Sequence, residues 1–539
     1  MMKKLILVMV VLIMATTAVY AGGSRTSTAQ PTATSSLNFT GYPMNRLNER
    51  VTWADLDGEN LHMRYATAAE SPFHSNYSRM TGVTIDWVFP TAGNSGDMLY
   101  TQLLAGNVRD LPYIINWGGS PEPEQLIAEG IMWDLTPYIQ QWMPNYYRYL
   151  QARPERDKAL KTDTGKYWSV GFFREDGPFM DTWLGPIVRK DWLDANGLPI
   201  PATLDDWDRT LQVFKDRYGA MVTFERWVGD RGGLAGAFGA YANYNFEIFY
   251  RNGRAMAANV QPEWRNYLTK MNEWYSRGLI DPDHFTMDNA TFNSKALEGK
   301  IGLTFGALSH VSELINNSSA ARNGADWVGI QYPRGPNNTL TAVYGGWGII
   351  PNIGAWITRG TPADKLEIVM RVLDYAFTDE GFHFTNFGVK GDTWDYDSTG
   401  KVVWLPKFLN DIDAPDYQQV ATKYVGQRGA QAGIQATRLV ELINPPASFA
   451  SAKTWYEPNQ QQAYSWRTPP GTSLTYDESL RRQELANPIQ TYVAEMAVSF
   501  ITGEVPLSQF DAFVARLNQM GLAEYLSIEQ AAYDRWQRR

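Results

Sequence analysis

The chain has 539 residues, a formal net charge of −9, 44% hydrophobic and 13% aromatic residues, with 20 Trp and 29 Tyr. That length exceeds one core and predicts at least two lobes. The acidic balance speaks against a nucleic-acid partner. The absence of any cysteine excludes disulfides, thiolate metal sites and a cysteine nucleophile.

Lys3 and Lys4 precede an apolar run, Leu5 to Ala15, and Val19-Tyr20-Ala21 is a small-x-Ala cleavage site. Residues 1–21 therefore read as a signal peptide, cleaved after Ala21. The alternative is a retained anchor, but the run is short for roughly 30 Å of hydrocarbon. Gly22-Gly23 stand where a lipid-modified cysteine would be required, so a free periplasmic protein is expected. Residues 22–58, rich in Ser, Thr, Ala, Pro and Asn, read as a flexible tether.

Alternating apolar residues predict strands at Leu61–Tyr65, Val83–Phe89 and Tyr113–Asn116. Met98, Leu99, Leu103 and Leu104 have helical spacing between the last two, which gives a βαβ unit. Thr203-Leu204-Asp205-Asp206 has the capping-box pattern, with Trp207, Leu211 and Phe214 on one face behind it. Thr361-Pro362-Ala363-Asp364 and Ser508-Gln509-Phe510-Asp511 are read as two further helix starts. Helices alternate with short strands, so the class is α/β.

No Walker-type loop, G-x-S-x-G elbow or H-E-x-x-H pair is present. Asp395-Tyr396-Asp397-Ser398-Thr399-Gly400 begins like a calcium loop, yet Pro406 stands where the bidentate Glu belongs. A polar turn is the reading adopted, and neither metal nor cofactor is expected.

Several segments together resemble the bacterial extracellular solute-binding proteins of family 1, in the long oligosaccharide-binding branch that serves ABC importers. They are Ile187 to Pro199 with the Thr203 capping box, Gly278 to Pro282, Gly299 to Gly302, Leu373 to Phe382, Asn386 to Gly391, Gly503 to Leu507 and Gln530 to Arg535. Two departures stand out: the stretch Phe214 to Met221 lacks the branch's calcium ligands, and Lys390 replaces a usual acid.

The resemblance implies a two-lobed type II periplasmic-binding fold with a hinge and an interlobe cleft. Lobe 1 is assigned to 59–170 and 331–390, lobe 2 to 171–330 and 391–539. The expected protein is a monomer and no enzyme, holding a carbohydrate for the membrane permease of an ABC importer. Ligands of open α/β sheets bind beyond the carboxyl ends of strands. Trp117, before Gly118-Gly119, and Trp347, in Tyr344-Gly345-Gly346-Trp347-Gly348, suit sugar stacking there. Tyr167 and Trp168 lie where the family's chain nears the hinge. Trp183, Tyr244, Phe305, Tyr344 and Trp394 follow from loop context and family position. Glu175 and Asp181 are candidate hydroxyl acceptors. Trp192 and Trp207 are assigned to packing, and Arg189 with Asp191 to a structural pair. The rival readings are a secreted polysaccharide-degrading enzyme, a binder of another solute such as a peptide, and a structural envelope protein.

Overall fold

Val51 and Trp53 alternate with more polar neighbours, and both side chains are buried. That alternation makes Arg46–Ala54 the first strand, β1. In this computed structural model the described residues are 37–55, 65, 67, 70–88, 108–116, 122–175, 184–221, 234–308, 311, 314, 325–340, 349–413, 417–426, 431–444, 446–455, 468–469 and 471–539. β1 pairs in parallel with β2 (Val83–Val88) and β3 (Ile114–Asn116). The tether expected over 22–58 is corrected accordingly. Its second half contributes an interior strand, and ahead of that strand Tyr42 Oη donates to the Arg371 carbonyl at 2.6 Å. Its polar composition concealed an alternation only a few residues long. The expected strand at Leu61–Tyr65, Tyr65 apart, and the helix around Met98–Leu104 lie outside the described residues.

The strands continue as β4 (Val170–Arg174), β5 (Leu184–Arg189), β6 (Ile248–Arg251), β7 (Arg254–Ala257), β8 (Leu303–Ala307) and β9 (Trp327–Gly329). The remaining four are β10 (Ile349–Ile357), β11 (Trp394–Tyr396), β12 (Val402–Trp404) and β13 (Gly433–Gln435). Two sheets organise the fold: six strands in the order β13-β4-β10-β3-β1-β2, and three in the order β8-β5-β9. β6–β7 and β11–β12 are separate antiparallel hairpins. β4 and β13 thus belong to the first sheet, although 171–330 and 391–539 were assigned to the second lobe. A three-residue return strand far along the chain has too little pattern to announce its sheet.

The helices used below are α1 (Pro72–Thr81), α2 (Pro123–Ala128), α3 (Leu204–Tyr218), α4 (Pro262–Ser276), α5 (Leu366–Asp374), α6 (Thr437–Ile443), α7 (Pro446–Trp455), α8 (Tyr476–Thr502), α9 (Phe510–Gln519) and α10 (Leu522–Arg538). The Thr203 box forms as read: Thr203 Oγ1 accepts from Asp206 N–H, and Asp206 answers to the Thr203 amide. α3, α4 and α8–α10 enclose one core with β5 and β8, from Trp207 and Trp264 to Phe500 and Tyr525. Among the described residues, consecutive elements change lobe between β4 and β5, between β9 and β10, and between α6 and α7. Trp455 of α7 reaches into the second lobe, donating from Nε1 to the Pro186 carbonyl at 2.8 Å.

Candidate ligand cleft

β1, β2, β3, β4 and β13 run the same way and β10 runs against them. Five carboxyl ends and the start of β10 therefore share one edge of the first sheet, the place where loops can converge on a ligand. Asp55 follows β1 there, Asn116 ends β3, Glu175 follows β4 and Gln435 ends β13.

Asp55 is buried, and its Oδ2 accepts from Gln431 Nε2 at 2.7 Å with His74 Nε2 at 3.2 Å. On its other side His74 Nδ1 lies 3.0 Å from Ser71 Oγ. This serine–histidine–carboxylate order has the connectivity of a nucleophile triad. Ser71 is 0% exposed at the N-cap of α1, however, so no substrate carbonyl can reach its oxygen. The network instead fixes the end of β1 to α1 and to the approach to β13. Sequence reading missed all three residues, because the strand leading to Asp55 was taken for tether; Val51-Thr52-Trp53-Ala54 was the available signal.

Glu175 is half-buried and joins two strands. Its amide donates to the Gln435 carbonyl at 3.0 Å, and its Oε2 accepts from the Thr437 amide at 2.7 Å. A carboxylate at the first amide of α6 is favoured by the helix dipole.

The other described candidates are not gathered on one surface. Tyr167 is buried and donates to Asp157 Oδ1. Trp168 packs edge-on against Trp356, 5.4 Å between centroids, in a cluster with Ala54 and Ile115. Tyr244 lies in the second-lobe core, its hydroxyl 3.0 Å from His284 Nε2. Burial pushes the His284 imidazole down to about 4, against a smaller opposing pull from Asp281. Phe305, inside β8, packs between Trp207 and Tyr332. Trp394 donates from Nε1 to the Gly388 carbonyl at 3.0 Å and stacks on His383 in a cluster of its own. Phe305 and Trp394 are both buried, each packed among aromatic neighbours. Trp117, Asp181, Trp183, Tyr344 and Trp347 lie outside the described residues.

The remaining sequence readings have direct counterparts. Trp192 and Trp207 are buried. Arg189 clasps Asp191 through Nε at 2.8 Å and Nη2 at 2.5 Å. In the calcium-like stretch, Asp397 Oδ1 accepts from the Thr399 and Lys401 amides at 2.8 and 3.0 Å, the pattern of a polar turn. Lys390 is exposed and sits 4.8 Å over the Tyr396 ring.

No family model matches the chain. It is 28% identical over 289 residues to the lipoprotein LipO of Bacillus subtilis, covering 50% of this chain and 53% of LipO, so it spans about half that relative's length. It is 21% identical over 524 residues to the fructooligosaccharide ABC transporter substrate-binding protein FusA of Streptococcus pneumoniae, 91% of this chain and 93% of FusA. Its backbone follows the crystal structure of the alginate-binding protein AlgQ2 with a TM-score of 0.71 at 20% identity, covering 90% of this chain and 98% of that one. The fold is thus the two-lobed α/β architecture of periplasmic solute-binding proteins, and these relatives match the family 1 resemblance read in the sequence.

Proposed function

We propose that this chain is the exported substrate-binding component of an ABC importer, and that it captures an oligosaccharide between its lobes for delivery to a membrane permease. The observation that carries this reading is the alignment with FusA, which runs through both lobes. Five strand ends that share one edge add a place for the ligand. A sugar offers an apolar C–H face and a hydroxyl rim. Stacking on tryptophan removes the face from water at about 25 cal/mol per Å². Polar side chains must then satisfy the rim, since a hydroxyl desolvated without a partner opposes binding.

In this reading Trp117, which follows β3 in the chain, and Trp347, which precedes β10, stack on the ligand, and Asp181, Trp183 and Tyr344 are further contacts. Glu175 contributes from its position between β4 and α6. Ligand contacts to both lobes favour the closed arrangement, which the permease recognises. The leader is cleaved after Ala21, and the protein works as a periplasmic monomer without catalysing a reaction on its ligand.

A thermal-shift series of residues 22–539 against neutral and acidic oligosaccharides tests this. A saturable rise in melting temperature, with the glycan recovered intact, is the expected result. A cut glycan would make the protein an enzyme, and a shift with peptides alone would end the carbohydrate reading. Trp117→Ala and Trp347→Ala should each weaken binding by about 1–3 kcal/mol. Wild-type affinity in both would remove these residues from the site.

A further inference from the structure

Beside the carboxyl ends of β1 and β13 the first lobe carries a small core of its own, with Trp394, Trp404, Phe408 and Tyr424 in it. Asn386 ties that core to the sheet, accepting at 2.7 Å from the amide of Ala436, the residue after β13. The helix Tyr417–Tyr424 ends close by. Beyond it the Gly426 amide donates to the Thr385 carbonyl at 2.9 Å, and Gln431 reaches Asp55, which follows β1. The last turn of this helix therefore stands at the edge assigned to the ligand.

Two side chains of that turn, Lys423 and Tyr424, hold the loop that runs through residues 410–413. Lys423 is buried, donates to Asp411 Oδ1 and lies 2.5 Å from Asp413 Oδ2. Tyr424 Oη donates to Asp411 Oδ2 at 2.9 Å, and the Asp413 amide donates to Asp411 Oδ1 at 3.1 Å. Just upstream, Phe408 is buried and stacks on Trp404 with 3.8 Å between centroids. Between these anchors Ile412 is 92% exposed, the most of any large apolar side chain among the described residues, and Leu409 is 40% exposed. On a slack loop a lone exposed isoleucine needs no explanation. Here an ammonium, two carboxylates and a tyrosine fix the loop that presents it. A buried ion pair adds little net stability, and what it does supply is one conformation.

We propose that Ile412, with Leu409 three residues before it, is a rigid docking knob that seats in an apolar socket on the outward face of the importer's permease. The inference rests on the capture reading above and names the surface through which the ligand is handed over. A ligand held at the carboxyl edge leaves by that edge, so its recipient must meet the rim on which Ile412 stands. The flanking Asp411 and Asp413 speak against an anionic membrane surface, which attracts basic segments. A stable pairing with a second copy needs about 800 Å² from each partner, more than one isoleucine and one leucine supply. A contact that forms and releases with every ligand needs less. Fixing the knob in advance removes the ordering cost from each such encounter.

The chain lacks cysteine, so Ile412→Cys takes a benzophenone maleimide at that position alone. Illuminated on right-side-out membrane vesicles of the source organism, the labelled protein should cross-link to a multi-spanning permease subunit, identified by mass spectrometry. Tyr476→Cys, exposed at the start of α8, is the control and should not. Ile412→Ser should keep the parent's glycan affinity and melting temperature while glycan uptake falls at least about tenfold. Unchanged uptake, no cross-link, or a cross-link only to a second copy or to lipid overturns the docking knob. A lower glycan affinity in Ile412→Ser overturns it as well, since the side chain would then serve the ligand or the second lobe. If no glycan binds the parent, capture fails as a reading, while the cross-link still judges the knob.

Discussion

Asp55 owes its place to neighbours that come from distant parts of the chain, His74 on α1 and Gln431 just before β13. Asp55→Ala strands the buried Gln431 amide and takes the carboxylate from His74, so it should cost about 2 kcal/mol. Asp55→Asn, which keeps an acceptor for Gln431, should cost less; urea denaturation of both variants checks the order. Two other buried groups set opposing pH dependences. His284 is pushed down to about 4 by burial. The unfolded chain therefore takes the proton first, and stability present above about 6.5 is lost as pH falls toward 4. The shift corresponds to about 3 kcal/mol. Asp374 is pushed up to about 6 by burial, in spite of hydrogen bonds from the Tyr146 amide and Asn145. It holds its proton longer in the folded chain, so its contribution is present in acid and lost as pH rises through 6. His284→Gln should therefore blunt the loss of stability between pH 6.5 and 4, and Asp374→Asn should sharpen it. Melting temperatures across that window read both signs.

At the scale of elements, capping chemistry was legible only where it was complete. Thr203 and Asp206 form both halves of their box, and Thr203→Ala should cost about 1 kcal/mol of second-lobe stability. The similar pattern at Thr361 does something else: its hydroxyl lies 3.3 Å from the Tyr113 carbonyl, and turns at 362–365 precede α5 at Leu366. A strand that offered an acceptor outcompeted the cap. Ser508 likewise sits in a short 3₁₀ turn ahead of α9 rather than capping it. Strands with apolar alternation, β2 and β3, were read to within a residue. β1 and β13 were not, since one lay in a polar segment and the other is three residues long. Buried aromatics such as Phe305 and Trp394 had the same local appearance as ligand aromatics, because stacking on a core and stacking on a sugar ask for the same side chain. Gly185 shows a close approach that no sequence pattern signals. A Cβ there would fall 2.3 Å from the Trp455 ring, so Gly185→Ala should dislodge α7 from β5 and destabilise by about 1–3 kcal/mol. Chemical denaturation, with the Trp455 environment followed by fluorescence, checks it.

At the scale of the whole molecule, the two sheets share no strand among the described residues. Each sheet organises its own packing, and among the described residues polar clusters such as that around Asp163 and the helices at the boundary tie one to the other. Cooperativity between the lobes is then a matter of how much free energy crosses that boundary. Without ligand, the second lobe, with its large single core, should outlast the first in urea, giving a broadened or two-step transition. A ligand that touches both lobes binds only when both are folded. At a hundredfold excess over Kd it adds about 2.7 kcal/mol to the pair jointly. The expected result is that saturating glycan moves the first transition to higher urea and merges it with the second. A ligand effect confined to one transition would mean that the glycan rests on a single lobe and that the hinge does not take part in its capture.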